Sequence, residues 1–595
     1  MVRALTKPVT RSLVAKQCGQ RQPLSKPSKA NRYRSAVFTQ AQKLQKFCII
    51  CLFAAFRFSD TSNWTIVGSR NSCKSRKGFR NDRNMLQTRT SRLAVGFVKS
   101  FVIIGLSLAT IFGGRSRFAQ TERLKTRAVS SNADLEKDPL VVIAVIAPLS
   151  QLGILAGGPN LTPATWGDIL GHMKWRIGLE NPNYHLEIYD QSKVDASIRA
   201  DAIIAFDIQN GAEEIEFLTR NISSFIALGC CEALSNVNRI NGFSTSDSHR
   251  YPEFIESFFS ILSRDRHDRL VASDTIKDLY QRQSSDDLFY LFLVLINVAN
   301  GPVPVIQNST KRSDAGFKEL QCMVGKCGKE ISRCFMDSTC RTALQCLNTC
   351  KFNDQVCSYR CIASFESDAL AEFSLCILQK HNCLGLDASI PQLPKPEPLR
   401  YFRGQPLSNA LARDMLVGWL ANTGSSLVES EDEQFSWRVF AGKNAAYDYF
   451  PCQYQLFYPG KARNSFWYQP IFKVKTLDGL EKWRERLYRV RELSVPGTYR
   501  FSVLDNGVTS LEDWTILDCH EKLTWCVFYY RGAAAKAGLS YSGAILASRD
   551  GMWPKDGESL QRIQTVLRTA GIELWELSTV DNSNCGNRDL SRQNI

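Results

Sequence analysis

The side chains with the most specific chemistry are ten cysteines clustered within 62 residues. Cysteine thiols can be oxidised to disulfide bonds or can hold a metal ion, and a density this high is typical of small domains held together by disulfides. The sequence therefore predicts a Cys-rich helical disulfide domain over residues 318–390, in an oxidising compartment. The ten cysteines are Cys322, Cys327, Cys334, Cys340, Cys346, Cys350, Cys357, Cys361, Cys376 and Cys383.

The spacing of four of these cysteines indicates helices. Cys346 and Cys350, and likewise Cys357 and Cys361, are four residues apart, so each pair would lie on one face of a helix. Two facing helices could then be joined by two disulfides. A zinc site is the alternative interpretation, but the ten cysteines include no CxxC pair and only His381 lies nearby, so we predict no metal.

Two carboxylates, Asp190 and Asp207, follow predicted strands in residues 139–308. Strand and helix patterns alternate there, which predicts parallel strands in an α/β domain. Open α/β sheets bind ligands at the carboxyl ends of such strands. For Asp190 and Asp207, however, the favoured explanation is that each caps the next turn or helix. Gly157-Gly158 does not complete a dinucleotide-binding GxGxxG, and we predict no activity for this domain. The predicted strands are Leu140–Ala147, His185–Tyr189, Ala202–Phe206 and Phe225–Gly229, and the helices lie around Trp166–Gly178, Glu213–Arg220 and Glu253–Ser263.

Residues 432–585 contain a series of strands. Eight segments rich in Val, Ile, Tyr, Phe and Trp are separated by turn pairs such as Pro459-Gly460, which predicts antiparallel hairpins. Eight strands close into a small barrel that can hold one ligand. Apolar residues then recur at helical spacing from Leu560 to Ala570, before Gly571, which predicts a helix outside the barrel. The strands are Ser436–Ala441, Gln453–Tyr458, Ser465–Thr476, Arg484–Arg491, Thr498–Leu504, Glu512–Cys519, Leu523–Tyr530 and Tyr541–Ser548.

These patterns together predict a multidomain α+β protein. An α/β domain and a Cys-rich domain precede an eight-stranded barrel with a carboxyl-terminal helix, because 595 residues are too many for one core. A linker is expected at residues 391–431, where four prolines follow the cysteines, and a short tail at residues 586–595. The prolines are Pro391, Pro394, Pro396 and Pro398.

The amino-terminal residues 1–132 read as a targeting region. The formal charge of the chain is +16, but residues 1–120 hold 23 Lys and Arg against Asp60 and Asp82, a local charge of +21. About −5 remains for the rest, so the charge predicts no nucleic-acid partner. An apolar run, Ser100–Phe112, suits a second signal, which we favour, and the alternative is a membrane anchor extending back to Leu93.

Several short motifs of the barrel region are similar to those of one protein family. They are Trp437-Arg438-Val439-Phe440-Ala441-Gly442-Lys443-Asn444, Tyr447-Asp448, Cys452-Gln453, Phe528-Tyr529-Tyr530-Arg531-Gly532, Tyr541-Ser542-Gly543-Ala544 and Asp581-Asn582 with Cys585. They resemble the lipocalin domain of the violaxanthin de-epoxidase family, particularly its branch of de-epoxidase-related proteins. The spacing from Cys327 to Cys350 is also similar to the family's Cys-rich domain.

The resemblance implies a lipocalin-like barrel with a catalytic acid. Asp478 matches the family's acid and Tyr499 a hydroxyl partner, although Asp478-Gly479 is equally a common turn pair. A carboxylic acid can protonate an epoxide only when its pKa is raised or the compartment is acidic. Cys452 and Cys585 stand at the two ends of the barrel domain and are expected to form a disulfide, whereas the state of Cys519 and Cys526 is left open. The residues expected to bind substrate are Gln453, Asp448, Trp467 and Tyr541.

Two functions are therefore expected as alternatives. The first is an oxidoreductase that reduces xanthophyll epoxides with ascorbate as co-substrate, at the thylakoid lumen or thylakoid membrane of the chloroplast, in contact with membrane lipid. The second is a lipocalin-type binder of carotenoid or another apolar molecule that has lost catalysis. Asp478 favours the enzyme, whereas Pro451 and Thr515, which stand where the family has Asp and Tyr, favour the binder, as does the absence of the family's Glu-rich extension after Cys585.

Overall fold

The computed structural model describes residues 140–153, 163–194, 198–220, 222–244, 264–300, 317–417, 437–444, 450–459, 462 and 464–586. The predicted targeting region, the predicted helix Glu253–Ser263 and Asp448 lie outside these residues. In the described part of the chain, no helix is both long enough and apolar enough to span a bilayer.

The first described unit is an α/β domain built on a six-stranded sheet. The sheet order is β2-β1-β3-β4-β5-β6, and β1 to β4 are parallel, as the continuous apolar runs predict. The strands are β1 (Val141–Ala147), β2 (Tyr184–Asp190), β3 (Ala202–Phe206), β4 (Phe225–Leu228), β5 (Arg239–Ile240) and β6 (Phe243–Ser244). The helices are α1 (Trp166–Glu180), α2 (Ala212–Thr219), α3 (Glu232–Asn236), α4 (Arg264–Arg282) and α5 (Ser285–Asn300).

The two strand-end carboxylates of this domain are held by hydrogen bonds. Asp190 caps the turn that follows β2 through the backbone N–H of Ser192. Asp207 accepts from the Trp166 indole at 3.0 Å and from the Tyr280 hydroxyl at 2.6 Å. Asp190 therefore caps the following turn, as expected, whereas Asp207 does not cap the next helix and instead binds two side chains distant in the chain.

The Cys-rich domain is a set of short helices joined by five disulfides. The helices are α6 (Phe317–Met336), α7 (Ser338–Thr349), α8 (Gln355–Ser364) and α9 (Asp368–Ser374), which continues as a π-helical turn, Leu375–Lys380. Two disulfides join α7 to α8 through the cysteines spaced four residues apart. The five bonds are Cys322–Cys383, Cys327–Cys376, Cys334–Cys340, Cys346–Cys361 and Cys350–Cys357.

The carboxyl-terminal region is a closed eight-stranded antiparallel barrel, which confirms the predicted lipocalin fold. The strand order is β10-β11-β13-β14-β15-β16-β17-β9, and β9 pairs back to β10. The strands are β9 (Trp437–Gly442), β10 (Tyr454–Pro459), β11 (Ser465–Lys475), β12 (Glu481–Glu485), β13 (Tyr488–Glu492), β14 (Thr498–Asp505), β15 (Val508–Cys519), β16 (Trp525–Ala534) and β17 (Leu539–Ser548), followed by helix α11 (Gly557–Thr569) and β18 (Ser578–Thr579).

One strand prediction is wrong in detail. The segment Arg484–Arg491, expected to be one strand, is divided between β12 and β13, which pair with different halves of β11. Arg486, between them, lies opposite Pro470 of β11: its backbone N–H donates to the Pro470 carbonyl at 3.4 Å, but proline has no N–H to donate in return. The ladder is therefore interrupted opposite a proline, and the Arg486 guanidinium there donates to the carboxylates of Asp505 and Glu366.

The floor of the barrel is formed by residues that the sequence assigned to a linker. Within residues 391–431, the structure places a hairpin, β7 (Tyr401–Phe402) with β8 (Gln405–Pro406), and helix α10 (Asn409–Val417). Phe402, Met415 and Leu416 join the inner core of the barrel. The Trp437 indole donates to the Leu416 carbonyl at 3.0 Å. The part of this segment that follows the prolines is therefore folded and belongs to the barrel core.

The Cys-rich domain packs against the opposite end of the barrel. Tyr359 of α8 packs against Phe450 and Phe472, with ring centroids 5.4 and 5.8 Å away. A side chain at Gly507, in the β14–β15 turn, would meet the Ala371 carbonyl oxygen at 2.3 Å. The loops contacted by this domain lie at the strand ends remote from α10, so disulfide-bonded helices contact one end of the barrel and the floor forms the other.

Buried charges join the α/β domain to the barrel. Arg176 of α1 and Lys443, just after β9, both bind Asp286, at 2.7 and 2.8 Å. Burial raises the pKa of the Glu576 carboxyl, but the attraction of Lys443 and the contact with His172 outweigh it and lower that pKa to about 2. Oppositely charged side chains from both domains thus neutralise each other in one contact, in which the Glu576 side chain is buried and the Asp286 side chain is partly exposed.

Candidate functional site

The interior of the barrel is lined mainly by aromatic rings. Inward side chains alternate along each strand, and Phe501, Trp514 and Tyr530 form a stack across β14, β15 and β16. The ring centroids of Phe501 and Trp514 are 4.4 Å apart, and those of Trp514 and Tyr530 are 5.5 Å apart. Such a lining is apolar and flat-sided, which suits an apolar ligand with conjugated double bonds.

The carboxyl group of Glu512 lies among these rings. Glu512 is in phase with Trp514 on β15, so its side chain also points inward, and the residue is 6% exposed. The Trp514 indole donates to Oε2 at 2.7 Å and the Tyr541 hydroxyl donates to Oε1 at 2.9 Å. Both partners act as donors towards the carboxyl, so the carboxyl's own proton remains available to a ligand oxygen.

Gly532 makes this arrangement possible. It lies opposite Glu512 on β15 and opposite Tyr541 on β17. A Cβ atom at Gly532 would lie 2.5 Å from the Tyr541 ring and 2.9 Å from Cγ of Glu512. The missing side chain leaves the space through which the Tyr541 ring passes to reach the carboxyl.

The environment of Glu512 favours its protonated form. Burial raises the pKa of the Glu512 carboxyl above its usual value, and the hydrogen bonds from Trp514 and Tyr541 counteract this only in part. A neutral carboxylic acid inside an apolar barrel is the group that protonation of an ether or epoxide oxygen requires. Glu512 therefore has the position of a general acid, with a pKa that burial raises.

The raised pKa predicts a pH-dependent difference in stability between the wild type and Glu512→Gln. Below the unfolded-state pKa of about 4.3 the side chain is neutral in both states, and its full contribution to stability is present. As pH rises through the folded-state pKa this contribution is lost, by about 1.4 kcal/mol for each pH unit that separates the folded-state pKa from the unfolded-state pKa. Melting temperatures measured from pH 4 to 8 should fall less for Glu512→Gln than for the wild type. Parallel curves would show that the pKa of Glu512 is not raised in the folded protein.

Asp478 does not occupy the place that the resemblance implied for it. It is exposed in the turn between β11 and β12, outside the barrel interior. The Thr476 hydroxyl donates to its carboxylate and lowers its pKa, as does the backbone N–H of Leu480 to a smaller degree. A lowered pKa and an exposed position are the reverse of what an acid for an apolar substrate needs, so the turn interpretation describes Asp478.

Tyr499 and Gln453 are buried, at different places in the barrel. Tyr499 lies near the floor, two residues along β14 from Phe501, and is 1% exposed. Gln453 lies just before β10 and its amide donates to the Phe450 carbonyl at 3.0 Å. The two therefore approach the interior from opposite ends of the barrel.

The two aromatic residues expected to bind substrate lie on different faces. Tyr541 reaches inward to Glu512. Trp467 points outward instead, where it packs beside Tyr454 and Tyr458 and lies under the guanidinium of Arg489 at 5.6 Å. The expectation for Trp467 is wrong because the register of β11 places Phe466 and Tyr468, its chain neighbours, on the inner face.

Two further disulfides lie in the barrel. Cys452 is bonded to Cys585, which ties the tail to the start of β10. Cys519 is bonded to Cys526 across β15 and β16, and both contribute to the inner core. The remaining cysteines of the described residues, Cys230 and Cys231, are free.

Comparisons with known proteins support the resemblance over part of the chain. Residues 319–582 match the family described as the VDE lipocalin domain. The chain is 22% identical over 276 residues to violaxanthin de-epoxidase, chloroplastic, of Arabidopsis thaliana, and 24% identical over 294 residues to the protein of that name from Spinacia oleracea. These alignments cover 45% and 47% of this chain, and 54% of each relative.

The chain thus spans about half the length of these relatives. Among solved structures, it is similar to lobster apocrustacyanin A1, with 12% identity, 33% of this chain and 94% of that chain covered, and a TM-score of 0.21. The resemblance to the violaxanthin de-epoxidase family is confirmed at family level for the Cys-rich helices and the barrel.

Proposed function

We propose that the protein is an oxidoreductase that reduces xanthophyll epoxides inside its barrel, with Glu512 as the proton donor. The observation that carries the proposal is the Glu512 carboxyl, which is buried among stacked aromatic rings and bound by the Trp514 and Tyr541 donors, and whose pKa burial raises. The similarity of residues 319–582 to the violaxanthin de-epoxidases supports the substrate class.

The reaction is balanced when ascorbate is the reductant. Glu512 donates its proton to the epoxide oxygen as one carbon–oxygen bond breaks, and the second bond breaks as the oxygen leaves as water. Ascorbate supplies two electrons and two protons in total, one of which restores Glu512, and becomes dehydroascorbate. The epoxide becomes an alkene. The Trp514 and Tyr541 donors would stabilise the carboxylate that Glu512 becomes during the step.

The location of the protein is part of the same proposal. The matched relatives are named chloroplastic, and seven disulfides among the described residues require an oxidising compartment. The thylakoid lumen meets that requirement, and xanthophyll would reach the barrel from the thylakoid membrane lipid.

One departure from the family lies outside the barrel interior. Thr515 faces outward on β15, since its neighbours Trp514 and Ile516 are inside. The loss of a tyrosine there removes no group from the interior, so it does not favour a non-catalytic carotenoid binder over the enzyme.

The proposed activity is tested by measuring turnover of violaxanthin by the protein with its disulfides formed. Violaxanthin dispersed in galactolipid is incubated with the protein and ascorbate at mildly acidic pH, and the pigments are separated by chromatography. We expect antheraxanthin and then zeaxanthin to accumulate, and no product when ascorbate is omitted. Binding of violaxanthin without any product across the acidic range would overturn the proposal in favour of a lipocalin-type carrier.

A further inference from the structure

A second polar site lies at the floor of the barrel, below Glu512. Glu492, the last residue of β13, is the cross-strand partner of Tyr499 on β14. Tyr499 is 1% exposed and belongs to the inner core, and the Glu492 side chain is 5% exposed. Side chains at paired positions of neighbouring strands point to the same side, so the two groups face the interior together.

Each of these residues presents one polar atom that has no hydrogen-bond partner among the described residues. The atoms are the Tyr499 hydroxyl oxygen and Oε2 of Glu492, and both are buried. The other oxygen, Oε1 of Glu492, accepts two hydrogen bonds from Arg413 of α10, at 3.0 and 2.7 Å. Arg413 therefore fixes the carboxylate in place and leaves Oε2 directed elsewhere.

Buried polar atoms without partners are rare in folded proteins, and each calls for an explanation. Here the two atoms are complementary in type, because the tyrosine hydroxyl can donate a hydrogen bond and the carboxylate oxygen can accept one. A hydroxyl group satisfies both at once, accepting from Tyr499 and donating to Glu492. A carboxylate ligand would be repelled by Glu492, and a ligand without polar atoms would leave both groups unsatisfied.

We propose that Glu492 and Tyr499 form a subsite that binds a hydroxyl group on the end ring of the ligand. This rests on the proposed function, in which a xanthophyll occupies the barrel. Tyr499 is paired with Trp514 and Phe501 with Glu512, so the subsite lies about two residues, or roughly 7 Å, along the strands from the acid. A ring whose hydroxyl is held at the floor presents its opposite side to Glu512. Tyr499 and Glu492 are positioning residues, and the hydroxyl sets the depth of the ring.

The test compares two carotenoids that contain no epoxide, so that it does not depend on catalysis. Zeaxanthin has a hydroxyl on each end ring, and β-carotene is the same molecule without them. Binding of each to the oxidised full-length protein is measured by quenching of tryptophan fluorescence. We expect the wild type to bind zeaxanthin at least about tenfold more tightly than β-carotene, and Tyr499→Phe and Glu492→Gln to remove most of that difference while leaving the affinity for β-carotene within about twofold.

The matched control is Tyr458→Phe, which removes a tyrosine hydroxyl from the outer face, where it donates to Gln469 at 3.0 Å. It should leave both affinities unchanged. Equal affinity of the wild type for both carotenoids, no binding of either, or an equal loss for both in the variants would overturn the subsite. Lack of violaxanthin turnover together with the expected binding preference would overturn the enzyme alone.

Discussion

Replacing Glu512 by Gln is expected to lower the rate of epoxide reduction by about 100-fold or more, because a positioned general acid contributes roughly 10²–10⁴ to a rate. Gln has nearly the same size, and its amide oxygen can still accept from the Trp514 indole while its NH2 group donates to the Tyr541 hydroxyl oxygen. It has no acidic proton to give to the epoxide oxygen. The measurement is initial formation of antheraxanthin from violaxanthin with ascorbate, at matched protein concentration and with circular dichroism to verify folding.

Two other carboxylates serve as controls for this variant. Asp513→Asn changes the next residue of β15, which faces outward and binds Arg500 at the surface. Asp478→Asn changes the exposed turn residue that the family resemblance marked as the acid. Both should retain turnover within about threefold, since substitutions at the surface have small effects on the fold and neither side chain reaches the interior. If Asp478→Asn abolished turnover while Glu512→Gln did not, the acid assigned from the barrel interior would be wrong.

Removing the Cys452–Cys585 disulfide, by changing both cysteines to Ala, is expected to destabilise the barrel by about 5 kcal/mol in the chain-entropy model. The bond joins residues separated by 133 positions, so it restricts the unfolded chain strongly. It also holds the closing segment on the barrel, where the Cys452 N–H donates to the Asp581 carbonyl at 2.9 Å. Urea unfolding followed by tryptophan fluorescence gives the free energy of unfolding of each protein.

The matched control removes a disulfide with a short loop. Cys334 and Cys340 are separated by only six positions, so the same reasoning gives about 2 kcal/mol for the double Ala variant. The order of the two losses is the informative result. A larger loss for the short loop would mean that native packing around the sulfurs, and not the length of the closed loop, decides how much each bond stabilises.

The position of the acid shows where a sequence pattern alone falls short. Asp478 was favoured as the acid by a match to a family motif, and the motif carried no information about burial. The signal for Glu512 was nonetheless present in the sequence, since a glutamate in phase with Trp514 and Ile516 must share their face of the strand. What the alternation could not supply was the identity of the groups on the neighbouring strands, Gly532 and Tyr541, that make room for a carboxyl and bind it.

The floor shows the same limit at a larger scale. The four prolines that begin the predicted linker indicate irregular backbone, and the structure does keep the stretch from Leu386 to Arg400 free of helix and strand. The apolar residues that follow, such as Met415 and Leu416, carry only a short helical pattern. Their burial depends on an open barrel end of matching size, which no local pattern predicts.

The sequence by itself determined the kinds of units and their order. Strand alternation, apolar parallel-strand runs and the cysteine spacing each reflect local geometry, in which a residue's chain neighbours decide its structure. The tertiary structure alone decided the choice among possible cysteine pairings within the Cys-rich domain and the assignment of Glu512, Tyr541, Glu492 and Tyr499 to one interior. Those features depend on strand register and on contacts between residues far apart in the chain, and the desolvation that raises the pKa of Glu512 exists only once the strands have closed around it.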